Sequence, residues 1–122
     1  MAKVMLAEDD LTMVNLLTTL LKMDGFEVVS LDADDDVPAA VRRDGPDVLL
    51  LDVHLSNQDG LQIMDSIRQS DEIHDTRVIM ISGMNVRDEC MRHGADAFLL
   101  KPFMPDDLIR LLKQPRKPLS PP

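Results

Sequence analysis

The stretch "DVLLLD", Asp47 to Asp52, places four consecutive apolar residues between two aspartates. The run does not alternate between apolar and polar positions, which is typical of strands that are buried on both faces of a parallel sheet. Neighbouring parallel strands need crossover connections, which are usually helices. The stretch therefore predicts a central strand of an α/β domain, with the carboxylate of Asp52 standing where the strand ends.

Similar apolar runs recur along the chain, and segments with helical periodicity lie between them. Because crossovers between parallel strands are right-handed, five successive βα units predict a doubly wound (βα)5 fold. Its five-stranded parallel sheet would carry helices on both faces. The predicted strands are Lys3–Ala7, Glu27–Leu31, Asp47–Leu51, Arg77–Ile81 and Ala97–Leu100, and the predicted helices are Leu11–Met23, Asp36–Arg43, Leu61–Gln69, Val86–His93 and Pro105–Lys113.

Acidic, hydroxyl and basic residues follow four of the five predicted strands. In open α/β sheets, functional groups gather beyond the carboxyl ends of the strands. The sequence therefore predicts one functional site at this edge of the sheet. The residues that stand there are Glu8, Asp9 and Asp10 after the first strand, Asp52 after the third, Ser82 and Gly83 after the fourth, and Lys101 and Pro102 after the fifth.

Charge and composition disfavour several classes of protein. The chain of 122 residues carries a formal net charge of −9, which disfavours direct binding to nucleic acid or to anionic membranes. It has three Phe and no Trp or Tyr, so platforms for stacking bases are scarce. Its apolar runs are far shorter than the ~20 residues of a membrane-spanning helix, and its single cysteine, Cys90, allows no internal disulfide. We expect one cytoplasmic domain with no membrane or nucleic-acid partner.

Several motifs, in their order and spacing, resemble the receiver domain of response regulators from bacterial two-component and phosphorelay systems. They are the pair Glu8–Asp9, "DVLLLD" ending at Asp52, "DGL" opening the third helix, Ser82 after the fourth strand, and "GADAFLLKPF" from Gly94 to Phe103. The resemblance implies a flavodoxin-like, CheY-like sheet with strand order 2-1-3-4-5. It implies a receiver domain over residues 1–114 and leaves residues 115–122 as a proline-rich tail or the start of a linker.

The resemblance also implies a phosphoacceptor and a metal site. Asp52 would accept a phosphoryl group and become an aspartyl phosphate. Asp9 would bind the metal directly and Glu8 through water, while Asp52 and the backbone carbonyl of His54 complete the protein ligands. Such hard oxygen ligands suit Mg²⁺, for which Mn²⁺ is expected to substitute. The cation would offset the repulsion between these carboxylates and an anionic phosphoryl group.

Lys101 and Ser82 are the catalytic side chains that the resemblance implies, and Ser82 with Phe98 would form the switch. Lys101 would neutralise a phosphoryl oxygen, and Ser82 would turn its hydroxyl toward the phosphoryl group. Phe98 would then change rotamer and alter the face made by the fourth helix, fifth strand and fifth helix. The implied donor is a histidine kinase or a histidine phosphotransfer protein. The changed face would then bind an unidentified output protein or form a phosphorylation-dependent homodimer. No enzyme activity beyond self-phosphorylation and dephosphorylation is expected.

Two departures from the family pattern bear on function. Leu55–Ser56 stands where Met–Pro is common, so the loop after Asp52 is expected to lose a rigid turn. The segment from Ser82 to Gly94 is about one helical turn shorter than usual in the family, so the fourth helix or its leading loop is expected to be truncated. A receiver fold kept only as a phosphate-insensitive docking module is therefore a rival interpretation. A small magnesium-dependent phosphohydrolase with an aspartyl nucleophile is a second rival. Such enzymes usually place a second acid two residues after the nucleophile, where this chain has His54.

Helix capping is the alternative role for the acidic residues. An Asp directly before Leu11 is a good N-cap, so Asp10 is expected to cap the first helix. Capping accounts for neither Asp52 nor Lys101 at matching strand ends, which favours the metal interpretation for Glu8 and Asp9. The run "DADDD", residues 32–36, is expected to form a solvated loop that caps the second helix and binds no metal.

Overall fold

The computed structural model describes residues 2–116, and within that range each predicted helix and strand is present with its ends shifted by no more than one residue. Two short strands were not predicted. In chain order the elements are β1 Lys3–Ala7, α1 Leu11–Met23, β2 Glu27–Ser30, α2 Val37–Asp44, β3 Val48–Asp52, β4 His54–Leu55, β5 Gln58–Asp59, α3 Gly60–Gln69, β6 Arg77–Ser82, α4 Arg87–Arg92, β7 Ala97–Leu100 and α5 Pro105–Lys113.

The main sheet is parallel, and its strands run in the order β2-β1-β3-β6-β7. Strand β3 lies at its centre, with Leu50 opposite Leu6 on one side and opposite Ile79 on the other. Strands β2 and β7 form the two edges. The five long strands therefore adopt the predicted 2-1-3-4-5 order, and the labels differ only because β4 and β5 form a separate hairpin.

Apolar residues of β3 alternate between two cores, which explains why its sequence shows no alternation. Leu49 and Leu51 belong to a core shared with α2, α3 and α4, whereas Val48 and Leu50 belong to a core shared with α1 and α5. All four side chains are buried. Helices thus cover both faces of the sheet, as the sequence predicted.

Local caps are present at the predicted start of α1 and at the end of α2. The Asp10 carboxylate accepts the N–H groups of Thr12 and Met13 and so caps α1. Gly45 follows α2 with φ of 56°, a left-handed conformation in which its N–H donates to the carbonyl of Val41. These caps satisfy backbone groups at the start of α1 and at the end of α2.

The loop after Asp52 differs from the prediction, because it is stiffened by the antiparallel β4–β5 hairpin. Its turn contains Ser56 at φ of 52°. The Gln58 side chain donates to the carbonyls of Ala33 and Asp35 and ties the hairpin to the acidic loop. The loop lacks the rigid turn that is common in the family. Backbone pairing between β4 and β5 holds it instead.

Helix α4 has six residues, Arg87 to Arg92, which confirms that this helix is short. Among residues 2–116, no helix combines the length and the apolar character needed to cross a bilayer. Most of the predicted proline-rich tail, residues 117–122, lies outside the described residues.

Candidate functional site

The carboxyl ends of β1, β3 and β7 bring three charged side chains into contact. Glu8 follows β1, Asp52 ends β3 and Lys101 follows β7. The Lys101 Nζ lies 2.7 Å from Asp52 Oδ2 and 2.8 Å from Glu8 Oε2. Glu8 and Asp52 are 3% and 4% exposed. One ammonium therefore faces two buried carboxylates.

A backbone contact orients the carboxylate of Asp52. The N–H of His54 donates to Oδ1 at 2.9 Å, while Lys101 donates to Oδ2. The N–H of Val53 donates to the carbonyl of Ile81 on β6 and fixes the chain just past Asp52. Each carboxylate oxygen keeps lone-pair capacity for a further partner. The use of the His54 carbonyl as a metal ligand stays a prediction.

Glu8 has different partners at its two carboxylate oxygens. Its Oε1 accepts the N–H groups of Asp9 at 3.1 Å and Asp10 at 2.9 Å. Its Oε2 is close to Lys101 but outside hydrogen-bond geometry, and it has no hydrogen-bond partner among the described residues. Burial, reinforced by Asp52, raises the pKa of Glu8 from 4.5 to about 7, although Lys101 opposes the shift. Ionising both buried carboxylates at once is therefore costly.

The Lys101 ammonium is held by the same pair of carboxylates. Burial by itself would lower the pKa of Lys101, but its contacts with Asp52 and Glu8 outweigh burial and raise the pKa. The backbone N–H of Lys101 donates to the carbonyl of Ser82 at 2.8 Å. Lys101 therefore stays charged, and its backbone is anchored to the end of β6.

Asp9 completes an acidic cluster that opens to solvent. One carboxylate oxygen from each of Glu8, Asp9 and Asp52 lies within 4.8 Å of the others. Asp9 is exposed, whereas the other two are buried. Carboxylate oxygens are hard ligands, and three of them leave room for water on the metal. They therefore fit a divalent cation that keeps some of its water. The residues predicted as metal ligands are thus brought together here.

Comparison with known proteins identifies the family. The sequence model described as the response regulator receiver domain matches residues 4–113. The chain belongs to this family. This receiver domain is 34% identical over 116 residues to the transcriptional regulatory protein CpxR of Klebsiella pneumoniae, covering 93% of the chain and 48% of that protein. The chain spans about half the length of the curated relatives it matches.

Solved structures show the same fold as this receiver domain. The chemotaxis response regulator CheY4 of Vibrio cholerae superposes with a TM-score of 0.84 at 24% identity, covering 93% of this chain and 97% of that chain. The receiver domain of the sensor histidine kinase PA1611 from Pseudomonas aeruginosa superposes with a TM-score of 0.80 at 23% identity, covering 92% and 94%. That structure holds a magnesium ion in its active site cleft. The predicted CheY-like fold is confirmed.

Receiver domains share several general properties as a family. Receiver domains are signalling modules rather than classical enzymes. They interact with histidine kinases and output domains, and their family binds Mg²⁺ at an acidic pocket. The acidic cluster of this receiver domain is the one formed by Glu8, Asp9 and Asp52.

The two predicted switch residues of the receiver domain lie on neighbouring strands. Ser82 ends β6 at 1% exposed, and its Oγ accepts the N–H of Met84 at 3.0 Å. Phe98 on β7 is 7% exposed and belongs to the same core as Cys90 of α4. Ser82 thus stands at the site edge, whereas the Phe98 side chain lies in the interior. Their coupled movement stays a prediction.

Gly60 supports the site for a reason that sequence reasoning missed. A Cβ at this position would lie 2.4 Å from the backbone oxygen of Asp52, so only glycine lets α3 begin so close to the end of β3. The N–H of Gly60 donates to the carbonyl of Val53 at 2.7 Å. The available signal was the "DGL" motif, in which Asp59 caps α3 by accepting the N–H of Leu61.

Proposed function

We propose that this receiver domain is a phosphorylation-dependent signalling switch in which Asp52 takes a phosphoryl group from a phosphohistidine of a sensor kinase or phosphotransfer protein. The contact between Lys101 and the buried Asp52 carboxylate, at 2.7 Å, is the observation that supports it best. In the transfer, an Asp52 oxygen forms a bond to phosphorus while the bond from phosphorus to the donor's imidazole nitrogen breaks. That nitrogen keeps the electron pair of the broken bond.

We assign the cation site to Glu8, Asp9 and Asp52, with the backbone carbonyl of His54 as a further ligand. The clustering of the three carboxylates, with only one ammonium facing the two buried ones, supports this assignment. Bound Mg²⁺, or Mn²⁺ in its place, would supply positive charge for the phosphoryl oxygens. Asp52 would present its carboxylate oxygen to the incoming group from a fixed position, and the burial of Asp52 and Glu8 limits the water around it.

Lys101 and Ser82 would respond to phosphorylation of Asp52. Lys101 sits between two carboxylates, so it can exchange one of them for a phosphoryl oxygen and remain paired. Ser82 has its Oγ bonded to the N–H of Met84, and a phosphoryl oxygen would offer that hydroxyl an acceptor. Movement of this loop would alter the packing of Phe98 against α4, and with it the surface that an output protein or a second copy contacts.

A phosphate-insensitive docking module is the second candidate function. The observation that favours it is the six-residue α4, since a short helix has few contacts through which to transmit a change. Both candidates share the fold and differ in whether modification of Asp52 alters the rest of the chain.

The test is incubation with acetyl phosphate and Mg²⁺, read by intact-protein mass spectrometry and by amide NMR spectra. We expect the mass of one phosphoryl group to be added and the signals of Ser82, Phe98 and α4 to shift. Asp52→Asn should abolish both effects. Asp71→Asn changes an exposed loop carboxylate and serves as the matched control.

Equal phosphate incorporation by the Asp52→Asn chain would overturn the assignment of the phosphoacceptor. Incorporation without any shift at Phe98 or α4 would favour the docking module.

A further inference from the structure

Gln58 joins the loop that follows Asp52 to the acidic loop at residues 32–36. Its side-chain amide donates to the carbonyls of Ala33 at 2.7 Å and Asp35 at 3.0 Å. Gln58 is half-buried and pairs with Leu55 in the β4–β5 hairpin. One side chain therefore fastens the hairpin to a segment that lies 23 to 25 residues earlier in the chain.

The acidic loop is a fixed point of attachment for Gln58. The loop follows Leu31, whose N–H donates to the carbonyl of Leu6 on β1 at 2.9 Å. A turn closes the loop, since the N–H of Asp35 donates to the carbonyl of Asp32 at 3.0 Å and the Asp35 carboxylate accepts the N–H of Asp32 at 2.8 Å. The loop ends at the N-cap of α2. The carbonyls that accept from Gln58 therefore belong to a segment that is held at both ends.

The β4–β5 hairpin needs such an attachment. Each of its strands has two residues, and a two-stranded hairpin is marginally stable by itself. Its turn includes Ser56 at φ of 52°, a left-handed conformation that is unfavourable for residues other than glycine. The buried side chain of Leu55 anchors β4 in the core, whereas β5 carries no buried side chain. Gln58 therefore supplies the side-chain attachment of β5 to the rest of the domain.

The hairpin in turn carries the backbone contact that orients the phosphoacceptor. His54 on β4 pairs with Asp59 on β5, and the His54 N–H donates to Asp52 Oδ1 at 2.9 Å. The other carboxylate oxygen, Oδ2, accepts from Lys101 at 2.7 Å. A shift of β4 would therefore release one of the contacts that hold the Asp52 carboxylate. It would also move the His54 carbonyl that we assign to the cation site.

We propose that Gln58 is a positioning residue for phosphoryl acceptance, because its amide holds the hairpin so that His54 orients the Asp52 carboxylate. This inference rests on the proposed function, since the reaction that Gln58 assists is the transfer of a phosphoryl group to Asp52. The two hydrogen bonds from Gln58 compensate for the rigid turn that Leu55–Ser56 lacks. Misplacing a reacting group by ~1 Å can slow a reaction about 100-fold, so a small shift of the hairpin is sufficient.

The first measurement tests the orientation of Asp52 with no phosphodonor or Mg²⁺ present. Solvent exchange of the His54 N–H, followed by NMR, reports its bond to Asp52. We expect Gln58→Ala to speed this exchange about 10-fold and to leave the amides of β1 and β3 unchanged. Gln62→Ala removes an exposed side-chain amide from α3 and is the matched control. It should change the His54 exchange rate by less than about 2-fold.

The second measurement is the rate of phosphorylation by acetyl phosphate as the Mg²⁺ concentration is varied. Gln58→Ala should lower the maximal rate about 10-fold and raise the Mg²⁺ concentration that gives half of it. Gln58→Glu keeps the shape of the side chain but donates no hydrogen bond, so it should behave as Gln58→Ala does. Gln58→Lys supplies N–H donors and should restore about half of the lost rate. Gln62→Glu adds the same charge as Gln58→Glu on α3 and should leave the rate unchanged.

Three results would each overturn the positioning role of Gln58. They are equal exchange of the His54 N–H in Gln58→Ala and Gln62→Ala, equal phosphorylation rates in these two variants, and equal rates in Gln58→Glu and Gln58→Lys. The last result would show that the size of the side chain matters and its donor does not. If the unsubstituted chain takes no phosphoryl group, the proposed function fails, and the exchange of the His54 N–H still decides whether Gln58 orients Asp52.

Discussion

The two ends of the parallel sheet each hold a buried or nearly buried carboxylate against basic side chains, and they differ in how fully the charges are matched. At the amino ends of β6 and β7, Asp96 accepts from Arg68, Arg116 and the N–H of Val78. At the carboxyl ends, Lys101 alone faces Glu8 and Asp52. We call the first end the closed cluster, because two arginines and a backbone N–H engage its one carboxylate, and the second the open cluster, because two buried carboxylates share one ammonium.

This difference separates a structural cluster from a reactive one. The amino-end cluster stabilises the fold because its one carboxylate is fully engaged by two arginines and a backbone N–H in fixed geometry. The carboxyl-end cluster places two buried carboxylates against one ammonium, and a bound cation would offset the remaining negative charge. Sites that bind ligands commonly sacrifice stability in this way.

The largest expected effect comes from breaking the closed cluster with Arg68→Ala. Arg68 also donates to the carbonyls of Gly94, His74 and Thr76, so its loss leaves several acceptors and Asp96 short of partners. We expect the free energy of unfolding to fall by about 3–5 kcal/mol, measured by urea denaturation. Arg68→Lys keeps the charge without the planar fork and should lose less. A loss below about 1 kcal/mol for Arg68→Ala would show that this end is not the closed cluster that the contacts describe.

The open cluster should make stability depend on pH when no Mg²⁺ is present. Because the native state raises the pKa of Glu8 from 4.5 to about 7, it binds the proton more tightly than the unfolded chain does. The stabilisation that comes from this proton is complete below pH 4.5 and is lost as pH rises through about 7. At about 1.4 kcal/mol for each unit of pKa shift, the total loss is about 3.5 kcal/mol at most.

Denaturation between pH 5 and 8 measures this slope. Glu8→Gln is neutral throughout the range and should flatten it. An unchanged slope in Glu8→Gln would assign the dependence to another group.

Mg²⁺ should offset part of the repulsion between the carboxylates of the open cluster and so stabilise the native state. A cation at 100 times its Kd stabilises the native state by about 2.7 kcal/mol, seen as a rise in Tm at constant ionic strength. Asp9→Asn should abolish the rise. Asp10→Asn is the matched control, because Asn caps a helix about as well as Asp and Asp10 lies outside the carboxylate cluster. Equal responses in the two variants would argue against a site at Asp9.

The smallest expected effect on stability comes from changing Asp to Asn at each end of the sheet. This pair of substitutions also contrasts the two ends most sharply. Asp52→Asn leaves Lys101 paired with Glu8 alone, so without Mg²⁺ at pH 8 we expect stability to rise by about 1 kcal/mol. Asp96→Asn should instead lower stability by more than about 1 kcal/mol, since it leaves arginines without their partner. Both values come from urea denaturation. Destabilisation by Asp52→Asn would show that the carboxyl-end charges are already balanced.

Local sequence was sufficient to predict most of the fold and the acidic cluster. Five apolar runs located the strands, and because parallel strands end on one edge, Glu8, Asp52 and Lys101 could be placed together although they are far apart in the chain. Asp10 and Asp36 were predictable as caps, because an N-cap depends on neighbouring residues alone. These features follow from periodicity and from short-range chemistry.

Features that depend on long-range packing escaped prediction. The partners of Arg68 lie up to 28 residues away and share no local pattern. The role of Gly60 depends on the approach of another backbone segment, and Ser56 carries no sign of the left-handed turn that it adopts. The carbonyls that accept from Gln58 lie 23 and 25 residues earlier in the chain, so this attachment appears only when the chain is folded.

The edges of the main sheet have a consequence for how copies of this chain behave when crowded together. The edge strands β2 and β7 have four residues each, whereas the inner strands have five or six. Short edge strands expose few unpaired backbone groups, and nearby charges such as Glu27 on β2 discourage another strand from docking there. Edge-to-edge aggregation is thereby suppressed, so we expect the folded chain to resist fibril formation at high concentration.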